Sequence, residues 1–469
     1  MNLLIINMTL GLFLAIGIND LHAAESARLN VIVVLVDDMG STDLSCFGGK
    51  QVQTPNIDRL AAEGLRFHSF YVNSPICSPS RVALTTGQYP HRWRITSYLD
   101  NRQANERRGV AHWLDPQAPV LARELQRAGY MTGHFGKWHM GGQRDVGDAP
   151  LIVDYGFHVS LTNFEGLGPR VLPILNAFNG KPTRQHDLGS AALGCGQIRW
   201  AERSTITSEF VTAAIGFIDQ AQASGKPFFL NLWPDDVHSP FFPSRAARAA
   251  TDNSKRVLYY SVLAEMDRQL GSLFDRIQKD SKLRDTTLIA LLSDNGHEDG
   301  AGSSTPYRGG KTWLYEGGIR SPLIVWCPSR MPRTTIGCVN YDSVMCALDL
   351  NRSLYGITNT PLPKGHVLDG EDVATTLLGC DRHGRVAPIF WRRPPDRPGT
   401  VEQDNPDLAV RNGKWKFCMN FNGSNPELYD IEADVQEANN LAGARPDIVA
   451  QLKNAIEAWN ATLPADRPQ

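Results

Sequence analysis

Three short segments place side chains that could do chemistry. Asp37 and Asp38 end the β-branched run "LNVIVVLVDD" (29–38), and Asp294 and Asn295 lie in "SDNG" (293–296), at the end of the apolar run "TTLIALLSD". Oxygen donors of this kind suit Ca2+ or Mg2+ rather than zinc. Either pair alone could equally cap the loop that follows it. The third segment, Cys77-Ser78-Pro79-Ser80-Arg81, carries a cysteine between two prolines, Pro75 and Pro79. A helix expected to begin at Pro79 sets Cys77 at an amino end, where unpaired N–H groups favour negative charge and would also suit a reactive thiolate. Lys137 and His139 in "GKWHMG", His238 in "VHSP" and Lys311 in "GGK" add cationic or proton-carrying groups. Taken singly, each reads as well as a hydrogen-bonded structural histidine or a surface lysine.

The elements that must position these residues alternate between strand and helix. "LNVIVVLVDD" has the continuous apolar character of a strand buried on both faces of a parallel sheet. "TPNIDRLAAEG" follows as a helix, with Thr54 at the N-cap, Pro55 in the first turn and Gly64 as the stop. Helices are expected near 119–128, 205–223 and 254–279, each followed by a strand: "MTGHFGKW", "KPFFLNLW" and "TTLIALLSD", with "SPLIVWC" after the last. The fold class is therefore α/β, a large, mostly parallel sheet sandwiched by helices. Ligands of such sheets sit beyond the carboxyl ends of the strands, where both aspartate segments fall. Between about 140 and 200 the pattern dissolves into a long irregular insertion, of the kind that forms lids or stays disordered. After about 385, "LAVRNGKWKFCM" places Asn412-Gly413 between two extended runs as a hairpin turn, and 446–461 reads as a terminal helix. The expected organisation is a signal peptide over 1–24, a catalytic domain over 25–384, and a smaller α+β subdomain over 385–469 with a short antiparallel sheet.

The segment C-x-P-S-R, followed by Leu84-Thr85-Thr86-Gly87, resembles the signature of the type I, formylglycine-dependent sulfatases of the alkaline phosphatase superfamily. The resemblance runs from Asn30 to about Leu441 through "NVIVVLVDD", "TPNIDRLAAEG", "GKWHMG", "VHSP", "SDNG", "GGK", "EGGIRSP" and "ELYDIEADVQEANNLA", in the family's order and weakest between 140 and 200. It implies an alkaline-phosphatase-like fold and a Ca2+ ion held by Asp37, Asp38, Asp294 and Asn295. Cys77, oxidised to formylglycine by a maturation enzyme, would supply a further oxygen. Arg81, Lys137 and His139 match the residues around the formylglycine hydrate, and His238 and Lys311 those near the sulfate and the leaving oxygen. A sulfate monoester repels nucleophiles by its charge, so a cation and these basic residues would neutralise it in the transition state. One hydroxyl of the implied hydrate attacks sulfur in line while His238 or Lys311 protonates the departing alcohol. His139 then deprotonates the second hydroxyl, which collapses to the aldehyde and expels inorganic sulfate. His297, Trp391 and Arg392 are further candidates for contact with the substrate, the last two reaching in from the C-terminal part.

Composition limits the partners. With 47 basic against 49 acidic side chains in 469 residues, no nucleic-acid groove or polybasic membrane contact is indicated. The apolar run from Leu3 to Ile18, followed by Ala23 and Ala24, reads as an export signal, shorter than the ~20 residues of a membrane span. A periplasmic or secreted protein with no stable membrane span is expected. The eight cysteines contain no C-x-x-C pair, which removes a zinc ribbon, and with Cys77 set aside the seven others leave at least one without an intramolecular partner. The expected substrate is a sulfated carbohydrate. Two alternatives stay open at this point: a phosphonate or phosphate ester hydrolase of the same superfamily, and a non-catalytic, calcium-stabilised glycan-binding protein.

Overall fold

The computed structural model describes residues 28–178, 180–249, 252–393 and 405–464, so the expected signal peptide lies outside the described residues. Along the chain, β1 (Asn30–Val36), β2 (Leu65–Tyr71), β3 (Met131–Gly136) and β4 (Val159–Leu161) enter a main sheet, and β5 (Arg170–Leu175), β6 (Arg184–Gln185) and β7 (Ile198–Glu202) build a small separate one. The chain returns to the main sheet with β8 (Phe228–Trp233), β9 (Thr287–Ser293), β10 (Arg320–Trp326), β11 (Val339–Asn340) and β12 (Met345–Cys346). It ends in a four-stranded antiparallel sheet of β13 (Ile389–Arg392), β14 (Leu408–Asn412), β15 (Trp415–Met419) and β16 (Glu427–Asp430).

The main sheet has the order β11-β2-β10-β9-β1-β8-β3-β4, with β12 also paired to β2. β1 is central, parallel to β8 on one side and β9 on the other, and every residue of it is buried. Because successive side chains of a strand point to opposite faces, β1 feeds two layers. Val31, Val33 and Leu35 pack with Val82 and Leu84 of the helix Cys77–Thr86 and with Leu350 and Leu354 of the helix Ala347–Ile357. Ile32, Val34 and Val36 pack with Ile57 of the helix Pro55–Ala62, Phe210 of Ile206–Ala223 and Leu270 of Lys255–Lys279. Helices thus cover both faces, as the β-branched run required.

Three expectations need correction, and one open alternative, an ordered or a disordered insertion, is decided. The "SPLIVWC" strand, β10, runs antiparallel to both β9 and β2. No long crossover helix separates β9 from β10; the chain stays at the carboxyl edge of β9 through the four-residue helix Glu316–Ile319 and re-enters the sheet from that edge, which forces the reverse direction. Thr54 does not cap the backbone of its helix; its hydroxyl bonds Ser45 and the Asp58 carboxylate instead. The described residues of the 140–200 insertion are ordered around β4 and the small sheet, in which β5 is parallel to β7 and antiparallel to β6. The hairpin turn is shifted by one residue: Asn412 pairs with Trp415, so Gly413 (φ +57°) and Lys414 make the turn.

The terminal helix Pro446–Ala461 packs Leu452, Ile456 and Trp459 against the C-terminal sheet. That sheet is tied to the main one by a buried polar cluster. Glu316 accepts from Tyr71 at 2.6 Å, Arg320 at 2.9 Å and Lys416 at 3.1 Å, and Lys416 also pairs with Glu437 at 2.8 Å. No helix among the described residues is long and apolar enough to cross a membrane.

Candidate active site

Parallel pairing of β1 with β9, with Val36 opposite Ser293, brings both acidic segments out at the same edge. Asp38 adopts a left-handed conformation (φ +57°) that turns its N–H onto Asp294 Oδ1 at 3.1 Å. Gly296 lets this loop press against the next one: a Cβ there would lie 2.0 Å from the Gly317 carbonyl oxygen. Cys77 is itself the first residue of its helix, two residues earlier than expected from Pro79, because Ile76 is already fully extended and Gly87 closes the far end. Its Sγ lies 3.8 Å from Asp38 Oδ1. Ligand atoms of Asp37, Asp38, Cys77 and Asp294 fall within 4.8 Å of one another, all buried.

Cations surround this acidic cluster. Arg81, one helical turn after Cys77, is fully buried and reaches Asp294 Oδ2 at 2.7 Å, Asp37 Oδ1 at 3.2 Å and the Lys137 carbonyl at 3.0 Å. Lys137 Nζ meets Asp37 Oδ2 at 2.6 Å, and Lys311 Nζ meets Asp38 Oδ2 at 2.6 Å. Burial alone would raise Asp37, but Lys137 and Arg81 outweigh it and hold the carboxyl well below its usual range. Asp294 behaves oppositely: burial, then the neighbouring charge of Asp37, push it up to about 7 despite Arg81. Asp37 Oδ1 and Asn295 Oδ1 are buried without a hydrogen bond, while the Asn295 amide donates to Asp38 Oδ1 at 2.7 Å. Three carboxylates and an amide oxygen, two of their buried oxygens without a hydrogen bond, fit a hard cation. Burial pushes the Cys77 thiol above the usual cysteine range, against the nearby charges of Lys137 and Lys311.

The histidines divide the remaining work. His139 (φ +55°) is buried beside Lys137, edge-on to Phe164 at 5.0 Å, with neither ring nitrogen bonded. Burial and the charges of Lys137 and Arg81 keep it well below the usual histidine range. His238 bonds the Ser239 carbonyl through Nδ1 at 2.6 Å and turns Nε2 towards Asp38, 3.5 Å away. His297 bonds Ser304 Oγ at 3.0 Å, and its carbonyl accepts the Lys311 N–H at 2.9 Å; Thr312 in turn donates to the Pro75 carbonyl at 2.8 Å. His297 thereby fixes the loop that aims Lys311. Trp391 and Arg392 are not in the cleft. Trp391 is buried, donating to the Val72 carbonyl at 2.7 Å, and Arg392 bonds Asn460 of the terminal helix at 3.1 Å. The "FWRRP" segment was open to this outcome because an apolar strand with a charged end packs as readily as it binds.

Sequence reasoning missed the loop that carries His238. Arg203, only 3% exposed, pairs with Asp236 at 2.6 Å and donates to the carbonyls of Asp235 and His238 at 3.2 and 3.3 Å. Asp236 also accepts from Thr207 at 2.6 Å, and its backbone oxygen accepts the Asp37 N–H at 3.0 Å. The acidic pair directly before "VHSP" was the available signal. A cleft runs outward from Asp37, Lys137 and His238, and its outer wall includes Asn163, His186 and Asp187 of the 140–200 insertion.

A doubly covered, mostly parallel sheet with this acidic and basic cluster beyond its central strands defines a class, and the sequence comparison agrees. The chain belongs to the sulfatase family, whose model matches residues 29–359. It is a sulfuric ester hydrolase of the alkaline phosphatase superfamily. It is 32% identical over 376 residues to the N-acetylgalactosamine-6-sulfatase of Canis lupus familiaris, covering 78% of this chain and 68% of that enzyme. The N-acetylgalactosamine-6-O-sulfatase of Bacteroides thetaiotaomicron is 28% identical over 516 residues, 93% of this chain and 94% of that one. Among solved structures, Ps i-CgsB in complex with k-i-k-neocarrahexaose superposes with a TM-score of 0.74 at 26% identity, covering 92% of each chain.

Proposed function

We propose that this protein hydrolyses sulfate monoesters of a sulfated carbohydrate, using formylglycine derived from Cys77 and a Ca2+ ion held by Asp37, Asp38, Asp294 and Asn295. The observation that carries the reading is the buried cluster in which Cys77 Sγ lies 3.8 Å from Asp38 Oδ1, Asn295 Oδ1 has no hydrogen bond, and Asp37 Oδ1 has only the ion pair with Arg81 at 3.2 Å. When present, the ion and the aldehyde hydrate supply charge neutralisation and a nucleophilic hydroxyl. The protein's own residues do the rest. Arg81, clamped by Asp294 and Asp37, holds its guanidinium rigid beside position 77. Lys137 and Lys311 present ammonium groups to the sulfate oxygens. Lys311 gives the proton to the leaving alkoxide, the stronger base, while His238 commits its Nδ1–H to the Ser239 carbonyl, which leaves Nε2 without a proton to donate in the neutral ring, and serves to position. His139, neutral and with both nitrogens free, takes the proton that lets sulfate depart.

Sugar sulfatases among the relatives support the carbohydrate substrate. On the same reading the chain is exported, to the periplasm or the medium, with 1–24 removed, 25–384 as the catalytic domain and 385–469 as the C-terminal subdomain. A formylglycine-generating enzyme is its maturation partner. The test is mass spectrometry of the tryptic peptide from Phe67 to Arg81 of the natively produced protein, together with aryl sulfate and aryl phosphate turnover. An aldehyde or its hydrate at position 77, with sulfate turned over faster than phosphate and all turnover lost in Cys77→Ala, is the expected result. A free thiol at position 77 in a host that matures such enzymes would overturn the mechanism in favour of a binding protein; faster phosphate turnover would favour a phosphate ester hydrolase.

A further inference from the structure

The outer wall of the cleft has a charge balance of its own. Asp187, at the turn after β6, accepts the Ala191 N–H through Oδ2 at 2.9 Å, and among the described residues nothing bonds its Oδ1. The neighbouring His186 is half-buried, held by its backbone N–H on the Pro173 carbonyl at 3.0 Å, and among the described residues its imidazole has no hydrogen bond. Asn163 is 4% exposed, and its Oδ1 is buried without a partner. These three groups share the cleft with Lys137 and His238, so what they face is the part of the substrate that extends away from the sulfate. The cations lining the same cleft are already engaged: Lys137 by Asp37 at 2.6 Å, and Arg203 by Asp236 at 2.6 Å. Among the described residues that line the cleft, this wall offers hydrogen-bond acceptors and the carboxylates of Asp187 and Asp235, and no lysine or arginine beyond the two already engaged.

We propose that Asn163, His186 and Asp187 receive the sugar ring that bears the sulfate, and that they select a ring with neutral hydroxyl groups over one carrying a carboxylate or a second sulfate. This rests on the sulfatase reading above. The Asp187 carboxylate and the Asn163 carbonyl oxygen accept from ring hydroxyls, and a site built on buried acceptors penalises a ligand that leaves them unpaired. A ring carboxylate or extra sulfate would meet Asp187 as a like charge, which discriminates by repulsion. The insertion thus sets specificity, while the sheet edge carries the chemistry.

The experiment uses the full, matured chain loaded with Ca2+, and compares kcat/KM on positional monosulfates of galactose and N-acetylgalactosamine, on uronic acid sulfates, and on 4-methylumbelliferyl sulfate. Wild type should prefer one neutral sugar sulfate over every uronate sulfate by roughly 100-fold or more, the scale set by an unpaired buried polar group plus a like charge. Asp187→Asn, which keeps the oxygen that caps Ala191, should narrow that preference about tenfold or more. Asn163→Ala should lower the sugar-to-aryl ratio of kcat/KM about tenfold. These ratios are blind to a general loss of folded enzyme. Unchanged ratios in both variants, a wild-type preference for uronate sulfates, or aryl turnover with no sugar turnover would each overturn the proposal and leave the sulfatase reading standing. An enzyme with a verified aldehyde that turns over none of these esters would remove both.

Discussion

Replacing Lys311 with alanine separates proton donation from simple charge neutralisation. Lys311 Nζ lies 2.6 Å from Asp38 Oδ2, and its side chain is 17% exposed, so water does not readily take its place. A unit positive charge about 4 Å from a developing alkoxide, at an effective dielectric of ~20, contributes about 4 kcal/mol. Loss of one such transition-state partner corresponds to roughly 10²–10³ in kcat. That loss should apply to a sugar sulfate, whose alkoxide must be protonated as it leaves. For 4-nitrophenyl sulfate, whose phenolate departs without a proton, the loss should be at least about tenfold smaller, since only the share from charge neutralisation is removed. Asp38 keeps its bond from the Asn295 amide at 2.7 Å in the variant, so the loop should stay folded. The assay is steady-state kinetics on both esters with a thermal melt as control. Equal losses on the two leaving groups would refute the assignment of Lys311 as proton donor and return that role to His238.

Three further outcomes follow from other parts of the site. Arg203→Ala strands Asp236 as a buried charge without its partner and should cost about 3–5 kcal/mol, read as a lower melting temperature, whereas Arg203→Met combined with Asp236→Asn should recover most of it. Glu165 is pushed from its ordinary 4.5 up to about 8 by burial, which Arg144 only partly opposes. The folded state thus holds this proton more tightly than the unfolded chain, so its stabilising contribution is complete below about 4.5 and is lost as pH rises through about 8. Melting curves of wild type and Glu165→Gln should therefore diverge between about pH 4.5 and about pH 8, with wild type falling relative to the variant, and run parallel above that; parallel curves throughout would remove Glu165 as the source. Chelation of Ca2+ should lower the melting temperature and activity together, the stability loss being about 2.7 kcal/mol if the ion was present at 100 times its dissociation constant. A melt indifferent to added Ca2+ would count against the assigned ligands.

Much of the site was readable from local pattern because its residues sit at the ends of strongly marked elements. A β-branched run ending in Asp37-Asp38 and another ending in Asp294-Asn295 place four oxygen donors at strand ends, and parallel pairing makes the ends of neighbouring strands coincide. The C-x-P-S-R segment needed no tertiary information either, since Cys77 and Arg81 lie one helical turn apart.

Tertiary structure decided what depends on which edge the chain returns from and on which partner a side chain finds. β10 runs antiparallel because of where the 294–319 segment stays, a property no residue of "SPLIVWC" encodes. Trp391 went to the Val72 carbonyl rather than the cleft because a buried indole N–H must find an acceptor, and the acceptor was supplied by another part of the chain. Asn163, His186 and Asp187 carry no local signature; only the folding of the small sheet against the catalytic edge brings them to the cleft. Spacing along one element fixes neighbours within it, whereas contacts between distant segments arise only when burial of the whole core selects one arrangement.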